Sequence, residues 1–358
     1  CLLVLGKGRV IVKVKQRSET AAFVETSIEA IVIRQKRIID VVFHVSVAIL
    51  VTVMYVNFGC ALKWNELRNS LKRPVGPAIG FIGQFLFMPL LSFFIGRLLF
   101  PRNPEMQLGM FFTGVSPGGG ASNMWAVILG LNIDLSITMT TISTFGAFAM
   151  MPIWLFTLGK VIFDDAKLDV PYQMISMYAM TLVIPLFIGF LIQKYMKRVA
   201  AFLVRILKAF SALLLIFIVV FAIVTNLYLF KLFSWQILVA GLGLPWLGYT
   251  VAWLLAVFFK QPNKDALVIA IETGIQNTGI SIYLLRFCLS QPEADLTTVV
   301  PVSVAIMTPI PLLLLWIAQK FRNRCFKKRK YTPHENSELN SPLSEMSVDN
   351  HFAPSTIS

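Results

Sequence analysis

One acidic residue, Glu272, lies in the middle of an apolar stretch and has the most informative chemistry in this sequence. Residues 266–285 read ALVIAIETGIQNTGISIYLL, so the amides Gln276 and Asn277 follow Glu272 by about one helical turn. A charge at the centre of a bilayer costs at least about 2.5–3.5 kcal/mol. The helix predicted to be its partner contains no Lys, Arg or His in its interior. We therefore expect a bound cation, and not an ion pair, to offset the charge.

A second interrupted stretch can supply oxygen ligands for that cation. Residues 115–125 read VSPGGGASNMW, with a proline and three successive glycines inside an apolar segment. Proline removes a helical hydrogen bond and each glycine weakens a helix by roughly 1 kcal/mol, so the helix should open here. Opening would free backbone carbonyls around Gly118–Gly120, and we expect the same around Thr273–Ile275.

The polar side chains near the two breaks are those that suit sodium. Ser122 and Asn123 follow the first break, and Ser136 and Thr140 lie four residues apart on one face of the next helix. Carboxylate, hydroxyl, amide and carbonyl oxygens are hard ligands, which such a cation prefers. The N-termini of the half-helices present N–H groups and positive dipole ends, which favour an anion. The sequence thus predicts one site for cations and an anion together.

Other interpretations of these residues stay open at the level of sequence. Glu272 could be a neutral, protonated carboxyl in a structural hydrogen-bond network, or a proton carrier in an antiporter. Proton relays tend to recruit several ionisable residues within spans, and this sequence does not provide them. The glycines could serve close helix packing, but packing would not explain the polar residues at both breaks.

The remaining polar residues favour structural roles. His44 is interpreted as a core histidine that faces the lumen or an interface, and Arg286 as a side chain that snorkels to the outer surface. The sequence contains no His–carboxylate pair, no Ser/His/Asp set and no phosphate-binding loop in a plausible context. We therefore expect neither an enzyme nor a bound cofactor. The four cysteines fit no metal-binding spacing.

The composition requires that membrane-spanning helices carry these residues. The chain has 358 residues, of which 56% are hydrophobic and only 14% charged, whereas a soluble domain carries roughly 25% charge. A helical span needs about 20 mainly apolar residues. The sequence therefore predicts an all-α polytopic membrane protein with about nine spans, at 39–62, 74–98, 106–129, 135–158, 172–193, 206–230, 234–258, 266–288 and 296–319.

The two interrupted spans occupy equivalent places in the chain. When the spans are grouped as 1–4 and 6–9, the interrupted helix is the third span of each group. Corresponding spans of the two groups are offset by an odd number of positions along the chain. The two groups then cross the membrane in opposite directions. The fourth members, 140–156 and 297–316, both run from hydroxyl residues to a proline and then to Leu and Trp. Inverted repeats with matching broken helices are typical of secondary transporters, whose site lies where the breaks meet.

The segments before and after the transmembrane domain (residues 39–320) are expected to lie on opposite sides of the membrane. Residues 1–38 contain two alternating stretches and are interpreted as the stump of a truncated, β-rich extracellular domain, or equally as a disordered lead-in. Residues 321–358 are predicted to be a disordered cytoplasmic tail. Lys and Arg favour this N-out, C-in orientation, although the basic residues just before the first span count against it. The net charge of +14 is assigned to loops that meet anionic lipid, not to nucleic acid.

Three stretches of the sequence carry a specific resemblance to a known family. They are FGCALKWNELRNSLKRPVGPAIGFIGQFLFMPL (58–90), SPGGGASNMW followed by NIDLSITMTTIST, and ETGIQN. Together they resemble the bile acid:sodium symporter family, also called the sodium/bile acid cotransporter family, and within it the P3-like members. The resemblance covers about residues 39–320. It implies a panel domain and a core domain, with two broken helices that cross in the core near two sodium sites.

The resemblance also implies roles for individual residues. The first sodium site would use five oxygen-bearing side chains: Ser122, Asn123, Ser136, Thr140 and Glu272. The second would combine the side chains of Gln84, Gln276 and Glu272 with the backbone carbonyls of Thr273 and Ile275. Asn277 would face the substrate cleft between panel and core.

The function implied by the resemblance is sodium-coupled symport by alternating access. The expected partners are sodium, membrane lipid and a small amphipathic organic anion, such as a bile acid or a steroid sulfate, and the expected location is the plasma membrane. A function of another class stays open as the alternative. It is a non-transporting, receptor-like or scaffolding membrane protein that acts through its N-terminal domain.

Overall fold

Among the residues that it describes, the computed structural model contains helices and one antiparallel pair of strands. It describes residues 6–15, 23–32, 38–61, 74–206 and 234–330, together with the single residues 68 and 72. The chain divides into two compact units, Cys1–Leu313 and Leu314–Ser358. Of the described residues, the first unit holds the two strands and nearly all helices, and the second holds the end of the last helix.

The first part of the chain contains helices α1 to α9. A single π-helical turn, Gly83–Phe87, joins α2 to α3, so that Val75–Leu99 is one continuous helical run. The bounds are α1 Ile38–Ala61, α2 Val75–Ile82, α3 Met88–Leu99, α4 Pro104–Val115, α5 Ala121–Ile128, α6 Ile133–Phe156, α7 Leu158–Asp165, α8 Tyr172–Thr181 and α9 Val183–Tyr195. Residues 197–206 are also helical.

The second part contains α10 to α15, in an order that repeats the break seen between α4 and α5. The bounds are α10 Trp235–Phe258, α11 Asn263–Gly274, α12 Thr278–Cys288, α13 Glu293–Thr297, α14 Val299–Met307 and α15 Pro309–Lys330. α10 packs against α11, α14 and α3. It thereby links helices from both parts of the chain.

Several helices are suited to a bilayer by length and composition. Four runs are long and apolar enough to cross a membrane: Val75–Leu99, Ile133–Phe156, Trp235–Phe258 and Glu293–Arg322. Three shorter apolar helices are Val45–Ala61, Val183–Tyr195 and Thr278–Cys288. All seven overlap predicted spans, whereas the predicted sixth span, 206–230, lies almost entirely outside the described residues. The chain is a multi-pass membrane protein, and the count of nine spans stays a prediction.

The two sequence interruptions are breaks in the helices. Residues 116–120 separate α4 from α5, and residues 275–277 separate α11 from α12. Ser116 is extended, with ψ of 157°, because Pro117 disfavours the helical conformation for the residue before it. Ile275 is also extended, with ψ of 102°. Each break therefore turns the chain out of the helix at the position that the sequence indicates.

The π-helical turn has a cause that can be traced to one proline. Pro89 has no N–H, so the Phe85 carbonyl lacks the donor that residue 89 would give in an α-helix. The indole Nε1 of Trp154 donates to this carbonyl at 2.6 Å instead, and the Met88 N–H bonds to the Gly83 carbonyl. The widened turn carries Gln84, whose side chain is buried.

Helices α1 and α9 approach closely through two glycines. A Cβ on Gly59 would lie 2.1 Å from the Leu186 carbonyl oxygen, and one on Gly189 would lie 2.0 Å from the Val56 carbonyl oxygen. The Cys60 thiol donates to the Gly189 carbonyl at 3.3 Å. Such small-residue contacts are common between membrane helices because they let the backbones pack together.

The two flanking segments are partly described. Strands β1 (Gly6–Lys15) and β2 (Phe23–Val32) pair in antiparallel register, with Gly6 opposite Val32 and Lys15 opposite Phe23. Their interpretation as the stump of a larger domain stays a prediction. At the other end, α15 continues to Lys330, beyond the boundary predicted at residue 320, because this basic segment contains good helix formers and neither Pro nor Gly.

Candidate functional site

The breaks between α4 and α5 and between α11 and α12 cross each other and pair through their backbones. The Gly119 N–H donates to the Ile275 carbonyl at 2.7 Å, and the Asn277 N–H donates to the Pro117 carbonyl at 2.9 Å. Backbone groups freed by the breaks thus satisfy one another, which a buried segment in a membrane requires. The two broken helices are held at one fixed crossing point.

The crossing leaves little room for a side chain at two positions of the first break. A Cβ on Gly119 would lie 2.9 Å from the Gln276 carbonyl oxygen, and one on Gly118 would lie 3.2 Å from the Glu272 carbonyl oxygen. The Gly118 N–H donates to the Ser143 hydroxyl at 2.7 Å. The three successive glycines of the sequence therefore serve the close approach of two backbones as well as the opening of a helix.

The carboxylate of Glu272 is buried at the crossing and contacts two hydroxyls of α6. Glu272 is only 3% exposed. The Ser136 hydroxyl donates to Oε1 at 2.5 Å, and the Thr140 hydroxyl donates to Oε2 at 2.8 Å. Ser136 and Thr140 reach the carboxylate together because they are one turn apart on α6.

Asn123 and Ser122 bring the first turn of α5 to the same cluster. Asn123 Oδ1 accepts from the Ser136 hydroxyl at 2.9 Å, and Asn123 Nδ2 donates to Thr140 Oγ1 at 3.1 Å. The buried Ser122 hydroxyl donates to the Gly119 carbonyl at 2.8 Å. The structure therefore brings together the residues predicted for the first site, which we call the Glu272 cluster: Ser122, Asn123, Ser136, Thr140 and Glu272.

Oxygens outnumber hydroxyl protons in the Glu272 cluster. The single proton of Ser136 faces both Asn123 Oδ1 and Glu272 Oε1. The single proton of Thr140 faces both Glu272 Oε2 and the Ser136 carbonyl. Each hydroxyl has only one O–H to donate. The Ser136 carbonyl also accepts the Thr140 N–H inside α6, so one of the three side-chain oxygens of Asn123 and Glu272 lacks a donor. A cation among these oxygens, or a proton on Glu272, would remove that shortage.

No cationic side chain neutralises Glu272 in the part of the chain that the structure describes. The described ion pairs there are Arg97–Asp165 and Arg286–Asp295. Likewise, among described residues, no group of three or more His, Cys, Asp and Glu is arranged to hold a metal ion. The chemistry of the cluster is therefore that of hard oxygen ligands around one carboxylate, which suits an alkali cation and not a transition metal.

A second polar cluster lies where the π-helical turn between α2 and α3 meets the crossing. Gln84 Nε2 donates to the Ser116 carbonyl at 2.7 Å and to Gln276 Oε1 at 2.8 Å. Gln276 Nε2 donates to the Thr273 carbonyl at 2.7 Å. The two glutamines, which we call the Gln84–Gln276 pair, are both buried. They tie the π-helical turn to both breaks at once.

The other groups predicted for the second site lie beside this pair. The Thr273 and Ile275 carbonyls accept hydrogen bonds from Gln276 Nε2 and from the Gly119 N–H, respectively. The Thr273 hydroxyl is buried and has no hydrogen-bond partner among the described residues. Glu272 bonds to the first cluster, but it also lines a small cavity together with Gln84. The structure therefore places all predicted ligands around the crossing, with Glu272 between the two groups.

Asn277 lies at the mouth of α12 and lines a cleft of about 830 Å³. Its Oδ1 accepts from the Ile280 N–H at 3.3 Å, so it caps the helix. The cleft is also lined by Gly120 and Ala121, at the start of α5, and by Met54 of α1. Two helix N-termini thus open into one cleft, and their N–H groups and dipoles favour an anion there.

A second cavity also borders Gly120 and has largely apolar walls. Phe58, Leu186 and Ile137 line it, and Asn123 and Thr140 of the Glu272 cluster reach its surface. The crossing is therefore flanked by one cleft rich in helix N-termini and by one apolar cavity. An amphipathic molecule needs surfaces of both kinds.

The interpretation of Arg286 as a snorkelling side chain is wrong. Arg286 is only 8% exposed and forms an ion pair with Asp295, which is fully buried. Arg286 Nη2 also donates to the Thr298 hydroxyl at 3.1 Å. The short α13 folds back over the end of α12 and brings Asp295 to it, a tertiary contact that no local pattern predicts. His44 lies outside the residues whose side chains are described.

Two contributors to the site have no clear signal in the sequence. Ser143, one turn after Thr140 on α6, binds the first break through its hydroxyl. Trp154, near the end of the same helix, binds the carbonyl beside Gln84. The period of the hydroxyls on α6 could have suggested Ser143. Only the packing of α6 against the π-helical turn reveals Trp154.

Comparison with known proteins identifies one matching family and several similar proteins. The sequence profile of the Sodium Bile acid symporter family matches residues 48–233. The P3 protein of Homo sapiens is 28% identical over 272 residues, which cover 75% of this chain and 57% of that protein. The chain therefore spans less than two thirds of the length of that relative.

Two further relatives have transport in their names. The ileal sodium/bile acid cotransporter of Cricetulus griseus is 30% identical over 271 residues, covering 75% of this chain and 77% of that protein. The sodium-dependent organic anion transporter of Rattus norvegicus is 31% identical over 256 residues, covering 70% and 67%. With the profile match over more than half of its length, the chain belongs to the sodium bile acid symporter family.

Proposed function

We propose that this chain is a sodium-coupled symporter of amphipathic organic anions. The observation that carries the proposal is the Glu272 cluster, in which a buried carboxylate and neutral oxygens meet without a cationic partner among the described residues. The carboxylate would stay charged at mid-membrane only with a counter-charge beside it. Sodium would be that counter-charge and would travel with it through the transport cycle.

The proposal assigns two sodium sites. The first would be formed by the Glu272 cluster. The second would use Glu272 again with the Gln84–Gln276 pair and the carbonyls of Thr273 and Ile275. Support comes from the position of Glu272, which bonds to the first group and shares a cavity with Gln84 of the second. One carboxylate between two cations would couple their binding, because each ion lowers the electrostatic cost of burying that charge.

The anionic substrate would bind across the cleft that Asn277 lines. The N-termini of α5 and α12 open into this cleft and would attract a carboxylate, sulfonate or sulfate group. The apolar cavity that also borders Gly120 would accept a hydrophobic body. A bile acid or a steroid sulfate combines these features, and two relatives are named for bile acid or organic anion transport.

Transport would proceed by alternating access of a panel against a core. Helices α1 and α9, which pack together through Gly59 and Gly189, would belong to the panel. The crossing breaks and the helices packed on them, α2 to α6 and α10 to α14, would form the core. In this proposal the nine spans form inverted repeats, 1–4 and 6–9, and sodium binding orders the breaks so that they accept the anion.

The proposed location is the plasma membrane, with the N-terminus outside and the C-terminus in the cytoplasm. The distribution of Lys and Arg along the sequence supports this orientation. Residues 1–38 would then be an extracellular lead-in, residues 39–320 the transporter domain and the residues after it a cytoplasmic tail. The alternative, a receptor-like or scaffolding protein that acts through its N-terminal domain, would not need the oxygen-bearing residues that this chain has at the predicted ligand positions.

Uptake into cells that express the full chain tests the proposal. Cells would receive labelled taurocholate or a labelled sulfated steroid in sodium medium and in choline medium. We expect uptake that requires sodium and is absent from mock-transfected cells. Well-expressed surface protein that takes up none of these anions, and that sodium does not stabilise against heat, would contradict the proposal and favour the non-transporting alternative.

A further inference from the structure

We propose that Trp154 is a positioning residue that holds Gln84 at the crossing, and that sodium binding therefore depends on an indole that is not itself among the predicted ligands. This inference rests on the proposed sodium-binding function and extends it to a residue that touches neither the ion nor the breaks. The structural basis is the hydrogen bond from Trp154 Nε1 to the Phe85 carbonyl, at 2.6 Å.

The Phe85 carbonyl needs a donor from outside its own helix. In an α-helix it would accept from the N–H of residue 89, but that residue is Pro89 and has none. Phe85 is only 1% exposed, so water cannot replace the missing donor. An unsatisfied carbonyl inside a membrane protein is strongly unfavourable. Trp154 supplies the donor and so makes the π-helical turn at this position tolerable.

The π-helical turn in turn sets the direction of Gln84. A π-helical turn contains one more residue than an α-helical turn, so it shifts the helical register of every residue on one side of it. In the observed register, Gln84 Nε2 reaches both the Ser116 carbonyl and Gln276 Oε1. A return to α-helical register would rotate Gln84 away from these acceptors. The presentation of Gln84 therefore depends on whatever stabilises the turn.

Helix α6 thereby contributes to both proposed sites. Near its start, Ser136 and Thr140 bind the Glu272 carboxylate, and near its end, Trp154 fixes the turn that carries Gln84. Between them, Gly146 lies against the Phe81 and Phe85 rings, where a Cβ would be 2.8 Å and 2.9 Å from ring carbons. The helix thus meets Phe85 of the π-helical turn at two positions, Gly146 and Trp154.

The test uses the purified full-length chain with sodium alone as the probe. The melting temperature is measured as sodium chloride replaces choline chloride at constant ionic strength. Its rise is fitted to give the apparent sodium dissociation constant, which we call the sodium midpoint. Trp154→Phe keeps the aromatic ring and removes the N–H. We expect its sodium midpoint to rise about three- to tenfold, the effect of losing one buried hydrogen bond. Trp253→Phe, at an exposed tryptophan of α10, is the matched control and should leave the midpoint unchanged.

A double variant separates positioning from general stability. A purely structural role would lower the melting temperature in choline but leave the sodium midpoint in place, and that result would overturn the inference. In a Gln84→Leu background the midpoint shift caused by Trp154→Phe should vanish, because the two changes act on one interaction. A shift that persists there would show that Trp154 acts elsewhere.

Two further outcomes have defined meanings. If Trp154→Phe does not fold, Pro89→Ala provides the same test, because a new N–H at residue 89 lets the turn revert to α-helix. A midpoint equal to that of the wild type would then overturn the inference, and a raised midpoint would support it. A wild-type chain without any sodium response would remove the proposed function and this inference together.

Discussion

At the residue scale, the distribution of protons around Glu272 limits what this carboxylate can do. Two hydroxyls with one proton each face four oxygens, and the described residues provide no basic partner. A protonated Glu272 and a sodium-bound Glu272 would both satisfy this arrangement. They differ in one respect, because only the ionised carboxylate attracts a cation. A substitution that keeps the shape of the side chain can therefore separate them.

Glu272→Gln should abolish the sodium-dependent increase in melting temperature. Glutamine is nearly isosteric and can still bond to Ser136 and Thr140, but it carries no negative charge. The control is Glu105→Gln at the start of α4, a half-buried position away from the crossing, which should keep the full sodium response. Unchanged sodium affinity in Glu272→Gln would show that the carboxyl has a structural role, protonated within its hydrogen-bond network.

The buried ion pair of Arg286 and Asp295 is a second determinant at this scale. Arg286→Met should lower the free energy of unfolding by about 3–5 kcal/mol, because it leaves the buried Asp295 carboxylate without its counter-charge. Arg286→Met combined with Asp295→Leu should recover much of that loss. The control is Arg97→Ala, which breaks a partly exposed pair with Asp165 and should cost about 1 kcal/mol or less. Equal losses in the two single variants, measured by denaturant unfolding in detergent, would contradict this expectation.

At the element scale, the two breaks act as one unit because their backbones bond to each other. Each break alone would expose N–H and C=O groups inside the membrane, and the crossing satisfies them through Gly119 with Ile275 and Asn277 with Pro117. The side chains of both clusters are attached to the helix ends at this crossing. Any change that separates the two backbones should therefore disturb both clusters together.

Gly119→Ala tests this dependence on backbone contact. The new Cβ would lie 2.9 Å from the Gln276 carbonyl oxygen and 3.2 Å from its carbon, so the breaks must move apart. We expect a lower melting temperature and a loss of sodium stabilisation. Gly243→Ala in α10 is the control, since its Cβ would meet only a side-chain methyl at 3.8 Å. It should be neutral or slightly stabilising, because alanine is the better helix former. A full sodium response in Gly119→Ala would mean that the sites tolerate separation of the breaks.

At the scale of the whole molecule, the proposed coupling depends on more than one ion. Each tenfold sodium gradient supplies about 1.4 kcal/mol per ion, and each charge moved across 100 mV supplies about 2.3 kcal/mol. Two sodium ions with one monovalent anion would carry one net charge and could use both sources. The position of Glu272 next to both clusters would let the fold bind two cations around a single carboxylate.

The number of ions can be read from the dependence of stability on sodium. Above the dissociation constant, each tenfold rise in sodium should add about 1.4 kcal/mol of stability per bound ion, and hence about twice that for two ions. Gln84→Leu should reduce the slope by about half, because it removes a ligand of one site only. The measurement is unfolding free energy against the logarithm of sodium concentration, with choline as the replacement. An equal slope in the variant and the wild type would contradict a role for Gln84 in binding a second ion.

Much of this protein is determined by local features of its sequence. The low charge content and the apolar runs require membrane helices, and Pro117, the glycines after it and Gly274 determine where two of them break. The polar residues beside these breaks are the ones that the structure brings together. These features are local because hydropathy and backbone conformation depend on a few neighbouring residues.

Only the tertiary structure decided which groups meet. The pairing of the two breaks, the ion pair of Arg286 with Asp295 and the bond from Trp154 to Phe85 each join residues on different helices. The erroneous assignment of Arg286 to the surface has the same origin, since the chain turns back through α13 before Asp295 reaches it. Hydropathy indicates that a charged residue lies near a membrane boundary. Tertiary packing determines whether that charge is solvated by water or paired with a buried carboxylate.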